Sequence, residues 1–272
     1  MSDLQGKSQK VIRLGTHGED YGSWMSNPVF YMVGGLTALA ALLAVLSFAV
    51  FHIFVPGILF VIIVAGLLAL LGWITWIRRQ YAFDGGRIME RVHQTILSHM
   101  DYDGKGTLLE VGCGAGALSI RAALTWQETK VVGIDYWAPV YNYSQALCEK
   151  NAVSEEAGDR CTFCRGDANK LDFPDGSFDA VVSNYVYHNI TGADKQQLLL
   201  ETLRVLKKGG VFALNDEMKP GMYGDMEAFA QKLRDMGYEE VRLVDTAKEA
   251  FGSHRRAAMM MLGESRMLVG RK

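Results

Sequence analysis

Between Tyr21 and Ile77 the chain carries no Asp, Glu, Lys or Arg. A helix on the surface of a soluble domain needs a polar stripe facing water, and this stretch offers none. Two apolar runs fill it, residues 29–51 (VFYMVGGLTALAALLAVLSFAVF) and 58–77 (ILFVIIVAGLLALLGWITWI). With a rise of about 1.5 Å per residue, each run measures about 30 Å or slightly more, the thickness of a hydrocarbon core. They predict a transmembrane hairpin over 29–77, with Pro56 and Gly57 at the reversal and Trp73 and Trp76 near an interface. Gly34, Gly35 and Gly66 offer places for close helix contact. Uninterrupted apolarity on every face argues against a pair of core helices, since a surface helix of a soluble domain would show a polar stripe. A cleaved signal peptide would start earlier and be shorter.

The basic residues set the expected orientation. Lys7, Lys10 and Arg13 precede the hairpin and Arg78, Arg79 and Arg87 follow it, while the connecting turn has neither Lys nor Arg. Both termini are therefore expected on the cytoplasmic face of a cell membrane, with His52 wetting the turn on the far side. The chain then divides into a cytoplasmic segment (1–28), the hairpin (29–77), a linker with one helix (78–107) and a soluble domain (108–272). A formal net charge of −2 over 272 residues gives no basic field for nucleic acid. Cys113, Cys148, Cys161 and Cys164 lack the spacing of a secreted disulfide framework, which points to a reducing compartment.

From residue 88 onward helical and strand patterns alternate. Ile88, Val92, Ile96 and Leu97 share one face of a helix over 88–100. Strands are expected at 107–113, 130–135, 161–167, 178–184, 211–216, 240–246 and 265–271. Helices are expected at 117–126, 139–153, 194–207 and 226–237, the third closed by Gly209-Gly210. Apolar strands alternating with helices make an α/β fold, a parallel sheet covered on both faces. The last two strands follow the final regular helix closely, so one is expected to run antiparallel at the edge.

Ligands of such sheets bind beyond the carboxyl ends of the strands, and LLEVGCGAG (108–116) occupies the first strand–helix turn. Gly112, Gly114 and Gly116 let the backbone turn sharply and let a ligand approach the amides. The spacing is G-x-G-x-G, whereas a pyrophosphate-binding loop usually reads G-x-G-x-x-G. Glu110, two residues before the loop, would repel a pyrophosphate but suits a cation. Asp135 ends the second strand, where a carboxylate grips a ribose diol, and Asp167 ends the third, within reach of an adenine amino group. An adenosine bearing positive charge and no phosphate fits this set, and S-adenosylmethionine is such a molecule.

Residues 108–272 resemble a class I S-adenosylmethionine-dependent methyltransferase of the small-molecule type. LLEVGCGAG, VVGID, GDANKLDFPDGSFDAVVSN and LRVLKKGGVFALND appear in the family's order. The resemblance implies a Rossmann-like seven-stranded sheet of order 3-2-1-4-5-7-6 with strand 7 antiparallel. It implies a cofactor loop of Gly112, Cys113, Gly114 and Gly116, with Asp135 on the ribose and Tyr136, Asp167 and Ala168 at the adenine. Glu110 would order the loop and the methionine end, Asn184 would line that end, and Tyr81 in YAFDGG (81–86) would fold over the cofactor.

Methyl transfer from a sulfonium needs a base only where the acceptor holds a proton. His188, just after the fourth strand, suits that role, though a histidine bonded to a loop carbonyl would look the same in sequence. Asp216 and Glu217, at the end of the fifth strand, would hold a cation or a polar acceptor group or be ordinary loop acids. No metal is expected: CTFC (161–164) has one cysteine pair whose members face opposite sides of a strand. Cys113 reads as a small filler rather than a nucleophile. MMML (259–262), with Met218, Met222 and Tyr223, fits helical core packing or an apolar acceptor pocket. The expected partner is a small-molecule or lipid-like acceptor beside the bilayer. A nicotinamide-dependent oxidoreductase and a non-catalytic cofactor-binding module are the competing functions.

Overall fold

The computed structural model describes residues 12–17, 19–22, 27–138 and 143–272. Lys7, Lys10 and the first four residues of the helix expected over 139–153 lie outside these described residues. The described residues divide into two compact units, one of 12–21, 89–137 and 143–272 and the other of 22–88 with Ala138.

The helical unit is built from α1 (Asn27–Ala49) and α2 (Phe54–Tyr81), with mean hydropathies of 2.3 and 2.9. Both are long and apolar enough to cross a membrane. Their side chains point outward: Tyr31 and Val55 are each 71% exposed. The reversal is not at Pro56 and Gly57 as the sequence suggests. It falls at residues 50–53, where His52 takes a left-handed φ of 52° and the Ile53 amide donates to the Ser47 carbonyl at 2.8 Å. Pro56 lies in the first turn of α2, where its missing N–H is one of four that have no helical partner anyway. Gly57 serves contact between the helices, because a Cβ there would stand 2.6 Å from the Phe48 ring. Gly34, Gly35 and Gly66, the expected contact points, have no such neighbour within 4 Å. At the other end Arg78 donates to Asn27 Oδ1 at 2.8 Å and lies over the Phe30 ring, fastening the helix ends together.

The larger unit begins with α3 (Ile88–Ser98), whose apolar face is buried at Ile88, Val92, Ile96 and Leu97. There follow β1 (Gly106–Val111), α4 (Ala117–Thr125), β2 (Thr129–Asp135), α5 (Gln145–Ser154) and β3 (Cys161–Arg165). Then come β4 (Phe178–Asn184), a 3-10 turn (Tyr187–Asn189), α6 (Lys195–Arg204), β5 (Leu206–Glu217) and α7 (Pro220–Tyr223). The chain ends with α8 (Met226–Asp235), β6 (Glu239–Val244), α9 (Thr246–Phe251), α10 (His254–Met259) and β7 (Ser265–Arg271). The seven strands form one sheet of order β3-β2-β1-β4-β5-β7-β6. β7 runs antiparallel to both neighbours, with Ala213 opposite Val269 and Val269 opposite Arg242. This is the Rossmann-like topology that the resemblance implies.

Local chemistry explains the element boundaries. Asp194 caps α6 by accepting from the Gln196 and Gln197 amides, and Asp225 caps α8 by accepting from Ala228. The buried alternation of Leu109, Val111, Val181, Phe212 and Leu214 closes on Leu199 and Leu203 of α6 and Leu268 of β7. Each such side chain contributes about 1.5–3 kcal/mol by leaving water. Two expectations fail here. Gly209-Gly210 do not end a helix but lie within β5, where the register against β4 shifts between Phe178 and Ala180. The antiparallel strand is not at the edge: β7 is inserted between β5 and β6. Two short helices, started by the Asp245 and Ser253 side chains, separate it in sequence from the edge strand β6.

The described residues before the hairpin belong to this unit. Leu14 is fully buried, Arg121 of α4 donates to the Ile12 carbonyl at 2.9 Å, and Tyr21 donates to Glu155 at 3.0 Å. Residues 12–21 thus form a strap across α4 and the end of α5.

Candidate functional site

The site starts at the carboxyl end of β1. Gly112, Gly114 and Gly116 have φ of 76°, 56° and 85°, the left-handed region that other residues enter only with strain. The amides of Gly112 and Cys113 both donate to the Ile134 carbonyl, at 2.7 and 2.9 Å, which hooks the loop onto β2. The sequence reading assigned the lack of side chains to a ligand. The structure gives a different reason for two of the three glycines. A Cβ on Gly112 would collide with the Val186 side chain, and one on Gly116 would lie 3.1 Å from the Phe163 ring. At Gly114 the nearest atoms belong to Tyr143, at an ordinary 3.6 Å.

Asp135, at the end of β2, accepts from the Gly114 amide through Oδ2 at 2.9 Å and from the Trp137 amide through Oδ1 at 2.7 Å. A carboxylate offers about four lone-pair sites, so two remain for a pair of hydroxyls. Trp137 returns a second bond, Nε1 to the Gly114 carbonyl at 2.9 Å, and Asn151 of α5 donates to the Ala115 carbonyl at 3.1 Å. Sequence reasoning missed both residues; no local pattern distinguishes them.

Glu110 is buried in β1, and the Ser119 hydroxyl of α4 donates to its Oε2 at 2.5 Å. Burial pushes its carboxyl up to about 8, with the Asp135 charge adding to the rise and the Ser119 bonds opposing it. Protonated near neutrality, the acid carries no charge to repel a phosphate, and a neighbouring cation would favour its ionised form. Cys113 is buried in the loop and burial holds its thiol well above the usual range, as suits a filler.

Farther along the same strand ends, Tyr136 is 57% exposed and the Arg165 guanidinium sits 4.6 Å from its ring centroid. Asp167 is exposed at the rim and accepts from the Asn169 amide at 2.9 Å, with Ala168 half-buried beside it. Asn184, the last residue of β4, accepts from Asn215 Nδ2 at 2.8 Å. All these positions lie on the carboxyl edge of the parallel strands. Tyr81 is the last residue of α2, in the helical unit, and its role over the cofactor stays an expectation from the resemblance alone.

His188 lies in the 3-10 turn after β4, and its Nδ1 is 2.5 Å from Asp216 Oδ1. Asp216 is no loop acid. It lies inside β5, fully buried, and accepts from the amides of Tyr187 at 2.7 Å, His188 at 3.2 Å and Glu217 at 2.7 Å. Four donors therefore fix the carboxylate, and the carboxylate fixes Nδ1 as the protonated nitrogen, leaving Nε2 as acceptor. Glu217 is buried as well, and burial raises its carboxyl above the usual range. Tyr223 is buried near Asp216, and burial followed by that negative charge pushes its phenol far up. Met260 of MMML is core, but Met259 and Met261 are each 51% exposed, so neither expected role covers the whole motif. Cys161 and Cys164 fall on opposite faces of β3, Cys161 towards the Ser119 carbonyl and Cys164 against the core.

Residues 109–214 match the family model described as a methyltransferase domain. The 27-O-demethylrifamycin SV methyltransferase of Amycolatopsis mediterranei is 30% identical over 151 residues, 56% of this chain and 52% of its own. The demethylmenaquinone methyltransferase of Lactiplantibacillus plantarum is 32% identical over 114 residues, 42% and 46% of the two chains. The chain thus spans about half the length of the curated relatives it matches. Among solved structures, geranyl diphosphate C-methyltransferase of Streptomyces coelicolor shares the fold with a TM-score of 0.53 at 14% identity, covering 68% of this chain and 80% of that one. Residues 109–214 are thus similar to a methyltransferase domain.

Proposed function

We propose that this protein is a membrane-anchored methyltransferase that transfers a methyl group from S-adenosylmethionine to a proton-bearing atom of a small or lipid-like acceptor. The observation that carries the reading is the His188–Asp216 pair, 2.5 Å apart and on the same sheet edge as the glycine loop. The residues fit the cofactor: Asp135 keeps lone pairs for the ribose, and a sulfonium nearby would favour the ionised form of the otherwise protonated Glu110. Gly112, Cys113, Gly114 and Gly116 would face the methionine end with Asn184, while Tyr136 and Ala168 would flank the adenine.

S-adenosylmethionine supplies an already activated methyl group, so much of the acceleration is orientation. The chain's own contribution is proton management. His188 Nε2 takes the acceptor's proton as the new bond forms, and buried Asp216 stabilises the resulting imidazolium and keeps the ring in one tautomer. Anchoring rests on α1 and α2, whose outward apolar surface needs a nonaqueous environment. The basic residues flanking the helices favour a cytoplasmic domain. The named relatives take organic acceptors, which supports a small-molecule class here.

The test uses the full chain in detergent or nanodiscs with radiolabelled S-adenosylmethionine and total membrane lipid or soluble metabolite extract. Label in an organic-soluble product that is lost in His188→Asn supports the reading. Binding of S-adenosylhomocysteine with no labelled product in any fraction favours the non-catalytic module instead.

A further inference from the structure

The strap brings His17 and Glu19 to Glu155, the residue that closes the C-terminal end of α5. One ligand atom from each, His17 Nδ1, Glu19 Oε1 and Glu155 Oε2, lies within 4.8 Å of the others. The imidazole nitrogen stands 3.6 Å from both carboxylate oxygens. That is too long for hydrogen bonds, which run about 2.7–3.2 Å. It matches two ligands of one tetrahedral ion, because bonds of about 2.1 Å at tetrahedral angles separate donor atoms by about 3.4 Å.

The burial makes the arrangement costly without a cation. The Glu19 side chain is fully buried, and its Oε1 has no hydrogen-bond partner, while its Oε2 accepts from the His17 amide at 2.8 Å. The Glu155 side chain is 3% exposed; its Oε1 accepts from the Gly15 amide and the Tyr21 hydroxyl, and its Oε2 faces His17. Two buried carboxylates face each other here, next to a helix C-terminus whose dipole also favours positive charge. The His17 side chain, 63% exposed, leaves one side open to solvent, where a water would complete four-coordination.

We propose that His17, Glu19 and Glu155 form a binding site for a first-row divalent metal ion, best matched by zinc. One nitrogen 3.6 Å from each of two carboxylate oxygens makes a borderline donor set, which suits zinc better than magnesium or calcium. The ion clasps the strap to α5. Asn151 on that helix donates both to the Asp20 carbonyl of the strap, at 2.8 Å, and to the Ala115 carbonyl of the glycine loop. The clasp therefore lies one side chain from the cofactor loop, and it does not depend on which acceptor the enzyme methylates.

The test is zinc titration of tag-free, full-length protein in detergent after dialysis against a chelator. It compares the wild type with His17→Ala and Glu19→Gln by calorimetry and thermal unfolding. Both substitutions spare the Glu155 bonds to Gly15 and Tyr21, so the strap keeps its other fastenings. The expected result is one zinc equivalent bound by the wild type, affinity lowered about tenfold or more in each variant, and a zinc-dependent rise in Tm in the wild type alone. Zinc binding that is absent, or equal in all three proteins, overturns the site. The strap is then held by the Glu155 bonds to Gly15 and Tyr21 and by Asn151.

Discussion

Glu110→Gln tests the electrostatics of the cofactor end without changing its shape. In the unfolded chain this carboxyl ionises near its ordinary value of 4.5, while in the fold burial holds it protonated to about 8. Across that window the native state binds more protons than the unfolded state, so stability falls as pH rises, by about 1.36 kcal/mol per unit. Between pH 5 and pH 8 the penalty grows by about 4 kcal/mol, and above pH 8 it levels off. Glutamine carries no charge at any pH and is spared it. At about 2–4 °C per kcal/mol for a domain of this size, the Tm of the variant should rise relative to the wild type by about 10 °C over that range. Thermal unfolding of both proteins in one detergent, at half-unit steps from pH 5 to pH 9, gives the difference curve. Groups common to both proteins cancel. A difference that stays flat with pH would refute the assignment of Glu110 as a buried acid protonated near neutrality.

Four further outcomes follow from named contacts. Asp216→Asn should lower kcat by about 10²–10⁴ with little change in S-adenosylhomocysteine affinity, because the amide no longer fixes the His188 tautomer; steady-state methyl transfer and calorimetry separate the two. Asp135→Ala should weaken S-adenosylhomocysteine binding in calorimetry, since it removes both the expected ribose acceptor and the bond to the Gly114 amide. Gly112→Ala places a methyl against Val186 at a φ of 76° and should destabilise by about 2 kcal/mol or more, with partial recovery in Gly112→Ala/Val186→Ala by thermal melt. The full chain should stay in the pellet after alkaline carbonate extraction of membranes, whereas release to the supernatant would remove the anchor.

The sequence exposed most of what depends on local pattern. β1, β2 and β4 fall within about two residues of their expected ranges because buried parallel strands are short apolar runs bounded by turn residues. The loop at 112–116 and Asp135 at the end of β2 were legible because position along the chain fixes position on the sheet edge. The errors came where local signals have two meanings. Pro56 marks a turn or a helix start with equal chemistry, and only packing of Gly57 on Phe48 decides. Gly112 reads as a ligand contact until Val186 is seen filling the space. Asp216 and Glu217 look like loop acids because they close the strand expected at 211–216, and nothing in the sequence tells that Asp216 is buried under the 3-10 turn. His17 and Glu19 gave no signal at all, since their partner Glu155 comes from a distant stretch of chain.

The strap has a topological consequence. Residues 12–17, 19–21, 89–137 and 143–272 build one body, although α1 and α2 lie between its first and later parts in the chain. In the proposed membrane arrangement, a chain that leaves this body and re-enters it must return to the face of the bilayer it left, so its crossings must be even in number. Two helices satisfy that parity. On that proposal, loss of one span would strand the strap across the bilayer from Glu155 and Asn151 and leave the glycine loop without its brace.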